Sequence, residues 1–341
     1  MPDRVVTVGR SRVQHGPANN RVYLLKLDPA DTAMMPGRLL DLAREHGYTK
    51  VFCRVHAGAL ERFLKAGYHV EARVPGLFRG VEDGYYLGYF LDPARARNMV
   101  PFPPVPPTKT VIRRPRPLPP GYTLREADEA DAERLAALYA QTFATYPFPI
   151  DDPAYIRSAM RGNVRFFVVE RDDEVVGASS AETDPAGKNV EMTDLAVSPS
   201  CRGLGLSAHL LHLMETEMRR AGMLVAYTIA RAAWEPVNRL FAGAGYRYGG
   251  TMINNTQICG RCESMHLWYR RLDPSTEGIY EGTAIEGCMQ MYRCTKCGYV
   301  YNPRSGDQTQ GVSPNTPFDD LPENWVCPRC NAPKSAFEPL D

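Results

Sequence analysis

Nowhere in these 341 residues is there an apolar run of the roughly 18 residues that a membrane-crossing helix requires. An excess of either charge is also missing: 40 Lys and Arg stand against 39 Asp and Glu, a net charge of +1. That balance gives no electrostatic reason to expect a nucleic acid, a membrane surface or an acidic protein as partner. The opening stretch, Met1 to Gly16, lacks the apolar core of a signal peptide and is broken by Arg4, Arg10 and Arg12, so the expected location is the cytoplasm. What is present is ordinary for a globular chain, 44% hydrophobic and 23% charged residues, with length for roughly two or three domains.

The nine cysteines are an odd count and unevenly placed. Cys53 and Cys201 stand alone, Cys288 lies just ahead of the last group, and three C-x-x-C pairs begin at Cys259, Cys294 and Cys327. In a reducing compartment such pairs read as metal ligands rather than disulfides. Cys294, Cys297, Cys327 and Cys330 can close a tetrahedral four-thiolate site for iron or zinc. Cys259 and Cys262 fall in a turn between two expected strands, with no second pair beside them, and read as two free thiols.

Proline draws the first internal boundary. Residues 101–120 hold nine prolines, which lack the N–H that sheets and helices use, so 93–121 is expected to be a semi-rigid linker. Its Lys109, Arg113, Arg114 and Arg116 have no aromatic or glycine motif around them and read as solvated charge. A second linker is expected over 273–288. Between them, 122–272 alternates helical and strand patterns. Glu129 to Gln141 and Gly205 to Ala221 have the helical period, and Val237 to Gly243 is a short helix. Strands are expected at 164–170, 174–182, 190–197, 224–230, 246–253 and 263–270, an α/β order with a mixed sheet. An N-terminal α/β domain, 1–92, echoes its end. Phe63-Leu64-Lys65-Ala66-Gly67-Tyr68 parallels Phe241-Ala242-Gly243-Ala244-Gly245-Tyr246, and each leads to an aromatic strand closing on Leu-Asp-Pro. The metal knuckles make a last domain, 289–341.

The middle domain carries Val197-Ser198-Pro199-Ser200-Cys201-Arg202-Gly203-Leu204-Gly205-Leu206-Ser207. A strand ends, a turn follows, and Arg-x-x-Gly-x-Ser opens a long helix. That arrangement aims successive backbone N–H groups at one point, where a pyrophosphate can sit. With Glu191-Met192-Thr193-Asp194-Leu195-Ala196 ahead of it, the segment resembles the GNAT-type N-acetyltransferases over about 122–271. The resemblance implies a mixed sheet with helices on both faces; the echo in 1–92 then makes the smaller α/β domain ahead of it half-GNAT-like. It also implies acetyl-CoA as co-substrate, held by Arg202, Gly203, Leu204, Gly205, Leu206 and Ser207. Leu195 and Val197 of a splayed strand would run along the pantetheine arm, with Asn238 as a further contact.

Transfer to an amine needs the amine neutral. A lysine-like ammonium has an ordinary pKa of ~10.4, so a carboxylate must take its proton. Two compete: Glu191, where some members of the family carry their base, and Asp194, which strand alternation points to the opposite face. The family's frequent general acid, a tyrosine, is Phe241 here, which leaves Tyr227, Tyr246 or no acid at all.

Two further resemblances complete the reading. Gln14 to Lys26, Gly249 to Ile258 and Glu263 to Tyr269 are similar to the β-lysine N-acetyltransferases over most of 1–271. That family acetylates the ε-amine of β-lysine, giving a compatible solute used in osmoadaptation, and implies lysine 2,3-aminomutase as the metabolic partner that supplies it. Asn254, Asn255 and Glu263 are the candidate substrate ligands, joined by His15, Asn20 and Arg21 if the N-terminal domain closes over the site. The stretch 289–338, with Cys297-Gly298-Tyr299-Val300-Tyr301 and Asn324-Trp325-Val326-Cys327-Pro328, resembles rubredoxin. It implies one iron cycling between ferric and ferrous, zinc replacing it in recombinant material, and a rubredoxin reductase or other redox partner. Gly298 and its counterpart Asn331 are expected at left-handed positions. The competing reading is an electron-transfer or redox-sensing protein whose acetyltransferase fold is not catalytic; an acetyltransferase for another diamine or for protein lysines is the third.

Overall fold

The computed structural model describes residues 3–98, 100–108, 115, 117–272, 291–297, 299–303, 306–312, 316 and 318–339. They fall into two compact units, Met1–Asp273 and Pro274–Asp341. Lys109, Arg113, Arg114, Arg116, Cys288, Gly298 and the linker expected at 273–288 lie outside the described residues.

The first unit opens with β1 (Arg4–Val8), β2 (Ser11–Gly16), β3 (Arg21–Lys26), α1 (Met35–Glu45), β4 (Lys50–His56), α2 (Ala57–Lys65), β5 (His69–Phe78) and β6 (Glu82–Phe90). Alternate strand residues Val22, Leu24, Val51, Cys53 and Val55 point to one face, where Leu39 and Ala43 of α1 and Ala59 and Phe63 of α2 bury their four-residue spacing. The chain continues through β7 (Tyr122–Glu126), α3 (Ala132–Thr142), α4 (Pro153–Arg161), β8 (Val164–Arg171), β9 (Glu174–Asp184) and β10 (Asn189–Val197). It ends with α5 (Leu206–Arg220), β11 (Val225–Arg231), α6 (Glu235–Gly243), β12 (Arg247–Ile258) and β13 (Arg261–Arg271). Here helices cover both faces. Phe167, Val169, Val190 and Met192 pack toward α5 and α6, while Phe166, Val168, Ala178 and Ala196 pack toward α3 and α4. The sequence pattern did not reveal α4. Its start is set by Asp152, whose side chain accepts from the Ala154 N–H, with Pro153 in the first turn.

One sheet runs through the whole unit, in the order β1-β2-β3-β4-β6-β5-β12-β13-β11-β10-β9-β8-β7. The echo in the sequence is a repeat in space. The path β3-α1-β4-α2-β5-β6 is traced again by β10-α5-β11-α6-β12-β13, each with one parallel pair followed by antiparallel neighbours. Phe63 and Tyr68 meet edge-to-face with ring centres 5.2 Å apart, and Phe241 and Tyr246 do so at 4.9 Å. The halves join where β5 meets β12, at a register pair of Ala72 with Gly250. A Cβ on Gly250 would lie 2.3 Å from the Glu71 carbonyl oxygen, so only glycine permits this approach.

The boundary expected at residue 93 falls within one compact unit, Met1–Asp273. Asp92 caps a 3-10 turn, Pro93–Ala96, whose Arg95 is buried and donates to the carbonyls of Asn19 (2.8 Å) and Asn254 (3.1 Å). The sheet also curls on itself. At about 4.8 Å per strand, β4 and β11 would stand about 24 Å apart in a flat sheet. Yet Arg54 of β4 donates to the Tyr227 hydroxyl of β11 at 2.6 Å, and Phe52 and Tyr86 pack with Val225 and Tyr227. No helix among the described residues is long and apolar enough to cross a membrane.

The second unit is small. β14 (Tyr292–Cys294) lies between β15 (Val300–Tyr301) and β16 (Phe337–Pro339) in an antiparallel sheet. Tyr301, Phe318, Leu321 and Trp325 form its core, against which Tyr292, Tyr299 and Phe337 pack. The Trp325 indole N–H donates to Asp307 at 2.9 Å, which satisfies its one buried donor.

Candidate active site and metal centre

The curl encloses a cavity of about 1300 Å³ between β10, β11 and the start of α5 on one side and β3 and β4 on the other. β10 and β11 pair only from Asn189 to Glu191 against Val225 to Tyr227, and then diverge. The divergence leaves the backbone of β10 unpaired on that side beside Leu195 and Val197, both of which line the cavity. Gly203 (φ 81°) and Gly205 (φ 77°) are left-handed, and a Cβ on either would meet nothing within 4 Å. Their role is therefore conformational: they turn the chain so that α5 begins with its free N–H groups toward the cavity. Arg202, Gly203, Gly205, Leu206 and Ser207 line it, while the Leu204 side chain is exposed and does not. The matching approach to α1 in the first half, Ala33-Met34-Met35-Pro36, has no glycine ahead of the helix, and the Tyr68 hydroxyl occupies the Pro36 carbonyl at 2.9 Å.

Asn238, expected beside the cofactor, is elsewhere. It is buried, its amide donates to the carbonyls of Arg231 and Trp234, and its oxygen accepts from the Trp268 indole. With donors and acceptor filled, it fixes the start of α6.

Both candidate carboxylates line the cavity. Alternation had placed Asp194 on the opposite face. A bulge between Thr193 and Ala196, with Asp194 at φ 54°, resets the period and turns it inward. The hydroxyls of Tyr146 and Ser180 donate to the two oxygens of Asp194, so the carboxylate ties β9, β10 and the segment after α3 together. Glu191 is less constrained. Burial, then the neighbouring charge of Glu182, push its pKa up to about 8, against the opposing pull of Arg54 and a hydrogen bond from Tyr227. Of the two tyrosines weighed as acids, Tyr227 lines the cavity. Tyr246 is fully buried in the core between α5, α6 and the sheet. Phe241 lines the wall without a hydroxyl.

The proposed substrate ligands separate in the same way. Asn255 lines the cavity with its side-chain oxygen buried and unpaired. Asn254 turns away at φ 42° and donates to the carbonyls of Arg95 and Arg97, bracing the segment after β6. Glu263 is buried in ion pairs with Arg231 (2.7 Å) and Arg261 (2.8 Å) and does not line the cavity. His15 is held by the Tyr48 hydroxyl, and Asn20 accepts from the Thr49 N–H. Arg21 does line the cavity, donating to the Asn255 carbonyl and to Thr256. Sequence reasoning missed Tyr23, Phe52, Arg54 and Glu182 of the same cavity. They lie in ordinary strands with no local motif, and only the curl of the sheet brings them together.

Cys259 and Cys262 engage different partners. The Cys259 sulfur accepts from Arg231 at 3.2 Å, while the Cys262 thiol donates to the Asn254 carbonyl at 3.1 Å. Both are free.

In the second unit, the sulfurs of Cys294, Cys297, Cys327 and Cys330 all lie within 4.8 Å of one another. Two of the separations are 3.7 Å (Cys294–Cys330) and 3.6 Å (Cys297–Cys327). Metal–sulfur bonds of about 2.3 Å in a tetrahedron give edges of about 3.8 Å, so the donor set fits one metal ion. Backbone N–H groups of Lys296 and Cys297 point at Cys294, and those of Arg329 and Cys330 at Cys327, the contacts that stabilise bound thiolates. Asn331 is left-handed at φ 55°, as its place in the knuckle requires.

Comparison with known proteins agrees with these two sites. The acetyltransferase (GNAT) family model matches residues 132–246, and the rubredoxin family model matches residues 291–337. The beta-lysine N(6)-acetyltransferase of Methanococcus maripaludis is 36% identical over 277 residues, 79% of this chain and 98% of that protein. The beta-lysine N(6)-acetyltransferase of Methanosarcina mazei is 41% identical over 155 residues, 46% of this chain and 57% of that protein. For the tail, the probable rubredoxin of Methanothermobacter thermautotrophicus is 51% identical over 53 residues, 16% of this chain and 84% of that protein. With a glycine-cornered helix start, a splayed strand and a match along nearly the full length of such a relative, the chain belongs to the β-lysine N6-acetyltransferase family, a GNAT-fold N-acetyltransferase that here carries a rubredoxin domain at its C-terminus.

Proposed function

We propose that the protein transfers the acetyl group of acetyl-CoA to the ε-amine of β-lysine, with Glu191 as the base. The observation that carries this is the single cavity holding both the α5 N-terminus and a carboxylate with its pKa near 8. Acetyl-CoA, when bound, supplies an activated acyl carbon. The chain's own residues do the rest. Free N–H groups at Gly205, Leu206 and Ser207 favour the diphosphate, and the unpaired edge of β10 offers N–H donors to the pantetheine arm and to a developing oxyanion. Glu191 accepts the ammonium proton, directly or through one water. Asp194, with both oxygens already hydrogen-bonded, holds the walls in place instead. Of the two tyrosines considered as the acid, Tyr227 is the one that lines the cavity, and it is the group placed here to return a proton to the leaving thiolate.

The product, Nε-acetyl-β-lysine, is a compatible solute, and lysine 2,3-aminomutase is the source of its precursor. The cytoplasm is where both would meet. In the tail, the four-thiolate donor set, with Tyr299 and Phe337 packed against it, suits iron cycling between ferric and ferrous, served by a rubredoxin reductase or other redox partner. Initial rates with β-lysine, lysine and spermidine at fixed acetyl-CoA test the assignment: β-lysine should give the highest kcat/KM. Equal rates with all three would reject the substrate, and no acetylation of any amine would reject the enzymatic reading of the cavity.

A further inference from the structure

Two features of the cavity are only partly satisfied by the protein itself. The first is a pair of carboxylates. Glu182 and Glu191 are directly opposite each other in the register of β9 and β10, where side chains stand about 5 Å apart. Like charges so placed destabilise a sheet, and neither residue forms an ion pair among the described residues. The second is a guanidinium. Arg54, on β4 of the first half, donates to the Tyr227 hydroxyl (2.6 Å) and the Leu25 carbonyl (3.2 Å). Among the described residues, its remaining N–H groups have no protein acceptor and no carboxylate lies within ion-pair distance of it. Yet it is near enough to lower the pKa of both Glu182 and Glu191 through space. An incompletely paired cation beside two facing carboxyl groups, whose pKa values burial and mutual repulsion raise, is less favourable in the empty protein than around a ligand of matching charge.

We infer that Arg54 and Glu182 form the recognition site for the non-reacting end of a diamino acid, Arg54 taking its carboxylate and Glu182 its second ammonium. The inference rests on the reading of Glu191 as the group that receives the reacting amine. β-Lysine has the right proportions. Its two nitrogens are separated by about 6 Å when extended, close to the spacing of facing residues on neighbouring strands. Its carboxylate is attached one carbon from the carbon bearing the second ammonium, so a cation and an anion must stand side by side without neutralising each other. The first half of the repeat thus supplies a selectivity wall, and the aromatic residues Tyr23 and Phe52 flank it.

Two truncated substrates separate the contributions. 1,4-Diaminopentane is β-lysine without its carboxylate, and 6-aminohexanoate is β-lysine without its second ammonium. The wild-type protein should prefer β-lysine to either by about 10–100-fold in kcat/KM, the range for a lost charge-assisted hydrogen bond. In Arg54→Met, the ratio of kcat/KM for β-lysine to that for 1,4-diaminopentane should fall toward one. In Glu182→Gln, the ratio for β-lysine to 6-aminohexanoate should fall instead. A purely structural role for either residue would lower all rates together and leave the ratios unchanged, which would overturn the inference. So would a wild-type protein that turns over 1,4-diaminopentane as well as β-lysine, although Glu191 and the acetyl transfer would then stand. No turnover of any amine would remove the underlying reading, and the inference with it.

Discussion

At the scale of single residues, the site depends on which polar groups are already satisfied. Asn238, Asn254 and Glu263 have plausible chemistry and are spent on the scaffold, whereas Glu191 keeps an accessible carboxylate whose pKa is raised. The sign of the pH effect follows. A carboxyl group with a pKa near 8 is mostly protonated at pH 7, so kcat/KM should climb as pH rises through about 8, with a midpoint that belongs to the coupled Glu182–Glu191 pair. Glu191→Gln should lower the rate about 100-fold at pH 7 and replace that climb with a later one set by deprotonation of the amine itself, whose ordinary pKa is ~10.4. The gap should narrow at high pH, where the amine deprotonates unaided. A pH–rate profile identical to that of the wild type would remove Glu191 from the role of base. Nothing local in the sequence separates spent from available groups. Strand alternation also misplaced Asp194, because a one-residue bulge shifts the period without changing composition.

At the scale of elements, the legible features were those carried by neighbours in sequence. The period of α5, the glycines before it and the paired cysteines each fix a local geometry. The join between β5 and β12 has no such signature. It links Ala72 to Gly250, and its only trace in the sequence is a pair of glycines, Gly249 and Gly250, whose absent Cβ atoms would collide with the backbone of Arg73 and Glu71. Gly250→Ala should therefore destabilise the first unit by about 2–4 kcal/mol, measured as a fall in Tm. Gly243→Ala, at the end of α6 where a Cβ meets nothing within 4 Å, is the matched control and should leave Tm within a degree or two or raise it. Equal losses for both would mean that the close approach at the join is not what holds the halves.

At the scale of the whole molecule, two units with different chemistry share one chain. The second unit's four sulfurs are its own, so metal analysis should find one iron per chain, with visible absorption that reducing agents bleach. Cys297→Ser should remove that absorption. Zinc at one equivalent with no iron in protein produced under iron-replete conditions would count against the ferric–ferrous assignment. The echo between Phe63–Tyr68 and Phe241–Tyr246 was readable as a motif, and its meaning emerged only in the sheet order, where six elements repeat in the same path.

That repeat is lopsided: one helix starts behind glycines, while the other starts at Met35 and Pro36 behind Ala33 and Met34, with the Tyr68 hydroxyl donating to the Pro36 carbonyl. Of the two halves, only the second presents a glycine-cornered helix start to the cavity among the described residues. With Arg54 as the carboxylate ligand inferred above, mutations on β4 would retune which amines are accepted while the thioester end of the cavity stays untouched, leaving the chain room to diversify without first giving up its catalyst.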